Sequence, residues 1–264
     1  MLGPLTAAWR FRHFITSSVR SEFASRFARS RLGGLWMILN PLAQAITLAF
    51  ILSTVLVAKL PGIENPYAFA LYLMAGTLGW SLFQEIVIRC LSVFIDGANL
   101  LKKLVFPRIC LPLVVVGVAL VGNLLLGAAV LLVFLVLGHV PGPQALWLPL
   151  LVLLTTALAL GLGLILGVLN VFLRDIGQVV PIVLQFGFWL TPIIYLPEMV
   201  PEPYRGWLSM NPMFPVVAAY QRVLVYGAAP DWQALAWVGA LAVVLLGLAL
   251  ALFRRASAEM VDLL

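Results

Sequence analysis

In the first long apolar run, Asn40, Gln44, Thr47 and Thr54 are spaced by four, three and seven residues. A helix puts such positions on one face. Neutral amides and hydroxyls at membrane depth have two uses. They hydrogen-bond packed helices to one another, or they line a watery path for a hydroxyl-rich substrate. The spacing suits both. Tyr72, Trp80, Gln185, Phe188, Trp189 and Tyr195 add aromatic faces and another amide to later apolar runs, although Trp and Tyr also form interfacial belts. Glu85 and Arg89 make an i, i+4 pair that neutralises itself on one helix face, which is a structural arrangement more than a reactive one.

The other chemically loaded stretch is Asn99–Pro112, NLLKKLVFPRICLP. Lys102, Lys103 and Arg108 lie between two apolar runs, and basic residues stay on the side of synthesis, so this island is cytoplasmic. Leu100–Phe106 makes one or two helical turns with Leu101, Leu104 and Val105 on one face. Pro107 and Pro112 end and restart the chain direction. A short helix over about 97–108, with an apolar knob and a basic rim, fits a plug for a soluble partner. An ordinary cytoplasmic loop is the alternative.

Much chemistry is missing. No GxxxxGK[ST] occurs, and none of Lys59, Lys102 and Lys103 follows a glycine, so the chain has no phosphate loop. There is no HExxH, His13 and His139 stand alone, and no metal site is expected. The paired intramembrane carboxylates of ion-driven carriers and a GxSxG elbow are absent as well. An enzyme is disfavoured, and uphill transport would draw its energy from a partner. Cys90 and Cys110 are too far apart for a metal or redox motif and read as buried thiols. The 264 residues are 63% hydrophobic and 10% charged, against about 25% charged in soluble domains. Apolar runs of about 20 residues span bilayers. The charge of +6 is no nucleic-acid signal, because the basic residues flank the spans.

The expected fold is all-α and integral to the membrane, with six spans at about 35–58, 69–91, 110–137, 146–173, 176–196 and 235–253. Residues 1–34 carry Arg10, Arg12, Arg20, Arg26, Arg29 and Arg31 against Glu22 alone. Phe11, Ile15, Val19, Phe23 and Phe27 recur every fourth residue, so their stripe drifts about 40° per step. This reads as one imperfect amphipathic helix, or two broken near Thr16–Ser18, on the inner membrane face. The first apolar run starts too late for a cleavable signal peptide. Gly163 and Gly167, with Gly161 nearby, permit close helix approach. Segment 197–230 mixes prolines 197, 201, 203, 212, 215 and 230 with Tyr204, Trp207, Phe214, Tyr220 and Tyr226. It is too broken to span and too apolar for a free loop, which predicts short re-entrant helices in the outer leaflet. Basic residues gather before the first span, in the island, at Arg174 and at Arg254–Arg255, leaving Lys59, Arg205 and Arg222 opposite. Both termini are therefore inside.

The basic N-terminal helix, WMILNP at Trp36–Pro41, the island, NVFLRDI at Asn170–Ile176 and the Asn211–Pro212 pair occur in an order that resembles the permease subunit of type-2 ABC exporters. The resemblance covers essentially the whole chain and is strongest to exporters of O-antigen, capsule or teichoic-acid polymers. It implies an inner-membrane protein of a bacterium, paired with a second copy of itself and two ABC ATPase subunits that bind ATP and Mg; this chain needs no cofactor. It implies a lipid-linked polysaccharide moving outward, and an island seated on the ATPase through Asn99, Leu101, Lys102, Lys103, Leu104, Phe106, Pro107 and Arg108, with Arg174 and Asp175 beside it. Polarity and aromaticity then assign Asn40, Gln44, Thr47, Tyr72, Trp80, Gln185, Phe188, Trp189 and Tyr195 to the translocation path. Aromatic faces meet sugar CH groups loosely, and a moving polymer needs sites that release as well as bind. Arg31, Lys102 and Lys103 are candidates for the carrier's pyrophosphate. The outer residues Lys59, Arg205 and Arg222 against Glu64, Glu198, Glu202 and Asp231 show no positive excess, which predicts a neutral or weakly charged glycan. A permease for small amphiphiles and a non-transporting anchor for a soluble enzyme are the competing readings.

Overall fold

The computed structural model describes residues 10–29, 35–50, 67–98 and 107–256. Among these the regular structure is helical: α1 (Arg12–Arg29), α2 (Trp36–Phe50), α3 (Ala68–Asp96), α4 (Cys110–Val136), α5 (Leu148–Phe172), α6 (Ile176–Leu190), α7 (Glu202–Met210), α8 (Met213–Leu224) and α9 (Trp232–Ala256). By length and composition α3, α4, α5 with its leading turn Pro143–Trp147, and α9 can cross a membrane, while α6 is a shorter apolar helix. Helix α3 continues past the expected Leu91 to Asp96. Helix α6 stops at Leu190, short of the expected Leu196, and Thr191 is extended. The cause is Pro192, which forces its predecessor out of the helical region and has no N–H for the ladder.

Helix α3 is the centre of the bundle and is buried on nearly every face. It packs against α5, α4 and α8, and α9 closes over the far side of α5. Glycines allow close approaches on both sides of α3. A Cβ at Gly167 of α5 would overlap the carbonyl oxygen of Cys90 on α3. A Cβ at Gly79 of α3 would stand 2.8 Å from the Tyr220 ring on α8. The GxxxG stripe thus lets two backbones touch, the purpose such spacing serves in membranes. Amides then tie helices across the gap: Asn123 Nδ2 donates to the Leu78 carbonyl at 3.0 Å, and Asn170 Nδ2 to that of Leu91 at 2.8 Å. Cys90 and Cys110 are buried free thiols.

The N-terminal helix α1 is continuous through Thr16–Ser18, with the Thr16 hydroxyl turned onto the Arg12 carbonyl at 3.0 Å. The half-buried positions are Phe11 just before it and Phe14, Ile15, Ser18, Val19, Glu22 and Phe23 along it, a set in which each residue has a neighbour three or four positions away, as a helix face requires. This face lies on α4, where Val19 presses on Gly117. The predicted stripe is therefore covered, in part, by protein. Within 197–230 the chain forms two short helices of opposite character. Helix α7 is largely exposed, whereas α8 is buried, with Tyr220 among the largest fully enclosed side chains.

Candidate translocation cavity

Helices α2, α3 and α6 line an open cavity of about 680 Å³. Helix α3 forms its long wall through Thr77, Trp80, Ser81, Gln84, Glu85, Ile88 and Arg89, α2 contributes Asn40, Pro41 and Gln44, and α6 contributes Pro181, Gln185 and Phe188. The α3 positions follow the steps of three and four that place residues on one helix face. Trp80 is buried, and its indole N–H donates to Gln84 Oε1 at 3.0 Å. Its ring meets Phe83 at 5.7 Å between centroids and Phe188 edge-on at 6.0 Å. Gly187 leaves the room this indole needs, because a Cβ there would stand 3.0 Å from it.

At one end the wall becomes ionic. Arg89 Nη1 donates to Glu85 Oε1 at 3.3 Å, and Nη2 donates to Glu22 Oε1 of α1. The side chains are 20%, 28% and 32% exposed respectively, so the cluster is half-desolvated. Arg89 also borders a second cavity of about 360 Å³ with Glu22, Ser92, Asp96 and Leu111. The guanidinium is thus shared between two spaces and two carboxylates. Elsewhere the larger cavity offers neutral amides, hydroxyls and aromatic carbon, which can hydrogen-bond and stack but not transfer protons or hold a metal.

The other predicted path residues lie apart. Thr47 is exposed on α2 outside the lining. Tyr72 sits at the opposite end of α3, donating to the Pro192 carbonyl at 3.3 Å. Trp189 is 55% exposed, and Tyr195 donates to the Leu190 carbonyl at 2.9 Å; neither lines the cavity. Arg174 and Asp175 form the exposed turn between α5 and α6, and Pro107 and Arg108 are half-buried just before α4. Asn99, Leu101, Lys102, Lys103, Leu104, Phe106 and Arg31 lie outside the described residues. Thr77, Ser81 and Gln84 were missed, although their spacing around Trp80 is a polar stripe in the second apolar run.

The broken segment is clasped. Asn211 Nδ2 donates to Thr191 Oγ1 at 2.8 Å while its Oδ1 accepts from the Met213 N–H at 2.9 Å. Gln221 Nε2 joins Tyr72 on the Pro192 carbonyl, at 3.2 Å. The Asn-Pro pair thereby binds the end of α6 to the start of α8.

A family model described as ABC-2 type transporter matches residues 14–225. The chain belongs to that family. Among its relatives within the ABC-2 group are O-antigen export system permease proteins RfbA. One from Klebsiella pneumoniae is 30% identical over 76% of both chains, and one from Myxococcus xanthus is 30% identical over 99% of both. The polysialic acid transport protein KpsM of Escherichia coli is 26% identical over 90% of this chain and 92% of its own. Together with the long apolar helices, membership makes this ABC-2 chain a multi-pass protein of the bacterial inner membrane.

Proposed function

We propose that the chain is the permease subunit of an ATP-driven exporter of lipid-linked polysaccharide, O-antigen-like and neutral or weakly charged. The observation that carries this is the wall of the larger cavity, where Asn40, Gln44, Gln84 and Gln185 surround Trp80 and Phe188. Amides share hydrogen bonds with sugar hydroxyls, aromatic carbon meets their CH faces, and the cavity's charges, Glu85 and Arg89, are paired. The names of the relatives support the same substrate class.

In this reading the chain crosses the membrane six times with both termini inside, α7 and α8 belong to the outer side, and two copies bring their α2 and α6 faces toward a shared path. That pairing accounts for Val179, Ile182, Val183, Phe186 and Leu190 of α6, all exposed and apolar. Two ABC ATPase subunits supply ATP hydrolysis and dock on the island, with Lys102, Lys103, Leu104 and Phe106 as the contact. Arg31, Lys102 and Lys103 meet the carrier's pyrophosphate. The experiment is co-purification with the ATPase, followed by analysis of the polymer retained by cells lacking this chain. A neutral glycan on a polyprenyl pyrophosphate, held inside, is the expected result. A uronic-acid- or phosphate-rich product refutes the charge assignment, and normal export refutes the function.

A further inference from the structure

A third cavity, of about 540 Å³, opens near the Ala68 end of α3, apart from the cavity around Trp80. Tyr72, Phe214 and Tyr226 line it together with Glu198, Arg222 and Gln221. Tyr72 and Tyr226 meet edge-on with centroids 6.5 Å apart. Glu198 and Arg222 are both exposed. Among the described residues neither has an ion-pair partner within 4.0 Å, although they share this one pocket. Burial, with the Glu198 carboxylate adding to it, holds the Tyr226 phenol above its ordinary value, so the ring is neutral at pH 7. A single cavity therefore offers one cation, one anion and three aromatic rings.

The position of the cavity narrows its occupant. It is flanked by Ala228, and the adjacent Gly227 lies 3.6 Å from where a Cβ of Gly142 would stand, next to the turn that leads into α5. At this end Trp147 and Trp232 pair edge-on, 4.6 Å apart, at the starts of α5 and α9, and Tyr204 and Trp207 are exposed on α7. Such a belt marks the headgroup level of a bilayer.

We propose that this pocket binds the zwitterionic headgroup of a phospholipid. The phosphate meets Arg222, a bidentate acceptor for a guanidinium. The ammonium lies between Glu198 and the rings of Tyr72, Tyr226 and Phe214, which attract a cation over their faces. A neutral sugar uses neither charge, and an anionic headgroup leaves Glu198 repelling it. This assignment rests on membrane residence and not on export.

The test titrates the full-length chain in detergent with phosphatidylethanolamine and phosphatidylglycerol, counting bound lipid by native mass spectrometry. An exposed charge contact is worth up to about 1 kcal/mol, so wild type should retain phosphatidylethanolamine up to about fivefold more tightly. Glu198→Gln should lower that affinity to the phosphatidylglycerol level and leave phosphatidylglycerol no weaker. Arg222→Gln should weaken both. Both side chains are exposed, and melting temperatures confirm that the variants fold. Equal retention of the two lipids by wild type, or selectivity unchanged in Glu198→Gln, overturns the proposal. Displacement by soluble phosphoethanolamine as strong as by the lipid itself assigns the pocket to a water-soluble ligand and also overturns it.

Discussion

Replacing Arg89 with Gln should loosen the N-terminal helix without unfolding the bundle. Arg89 reaches Glu22 across the α1–α3 gap and Glu85 one turn back along α3. An exposed ion pair contributes about 0.2–1 kcal/mol, while breaking a buried one costs about 3–5 kcal/mol. With side chains 20–32% exposed, the loss falls between these, at about 1–2 kcal/mol, and the two carboxylates left facing each other work in the same direction. That is a factor of about 5–30 in the undocked population of α1. Trypsin should cleave at Arg12 and Arg20 faster by that factor, because cleavage tracks the open population when docking is rapid. Val19 Cβ lies 4.0 Å from where a Gly117 Cβ would stand, within the disulfide range of about 3.5–4.5 Å. The pair Val19→Cys and Gly117→Cys, in a background with Cys90 and Cys110 replaced by Ala, should crosslink and abolish the added sensitivity. Cleavage of Arg89→Gln at the wild-type rate, or additive effects of Arg89→Gln and Glu22→Gln, would show that the cluster does not hold α1.

Gly167→Val should cost about 1–3 kcal/mol by overpacking against the Cys90 carbonyl, lowering Tm by several degrees in detergent. Gly247→Ala, with open space around it, should leave Tm unchanged or higher. Asn211→Ala removes the bond to Thr191 and the cap on the Met213 N–H, worth about 1–2 kcal/mol together; scanning calorimetry should show the drop, and an unchanged Tm would rule out the clasp. Gln44→Leu with Gln185→Leu should reduce polymer export while leaving ATPase co-purification intact, and undiminished export would remove these amides from the path. Leu104→Asp with Phe106→Asp should leave membrane insertion intact yet uncouple ATP hydrolysis from export; export at the normal rate would exclude the island as the contact.

The helical, membrane-embedded character was legible because long apolar runs have few other solutions. The close approach at Gly163 and Gly167 was legible from spacing alone. Less visible was the hydrogen-bonding role of Asn211, because the partner Thr191 lies just past the end of α6, on the far side of α7 in sequence, and only folding sets the distance. The polar stripe of Thr77, Ser81 and Gln84 was overlooked because Ser and Thr satisfy their own helix backbone, as Thr77 does on Leu73 at 2.7 Å, and so carry little signal. Trp189 and Phe188 are neighbours in sequence yet face different surroundings, since one step on a helix turns about 100°. Composition could nominate both for the path, but only the helix azimuth separates them. Glu22, the one acid of the basic segment, was visible as an exception, but its partner Arg89 was already assigned to Glu85.

The clasp at Thr191, Pro192, Asn211 and Gln221 has a consequence for biogenesis. Helix α8 is too short to be recognised as a span during insertion, and its enclosed Tyr220 and Gln221 find their surroundings only after α3 and α5 have assembled. Its placement is therefore a late, post-insertional event. Until the Pro192 carbonyl receives its two donors, nothing in this clasp holds the end of α6 to α8.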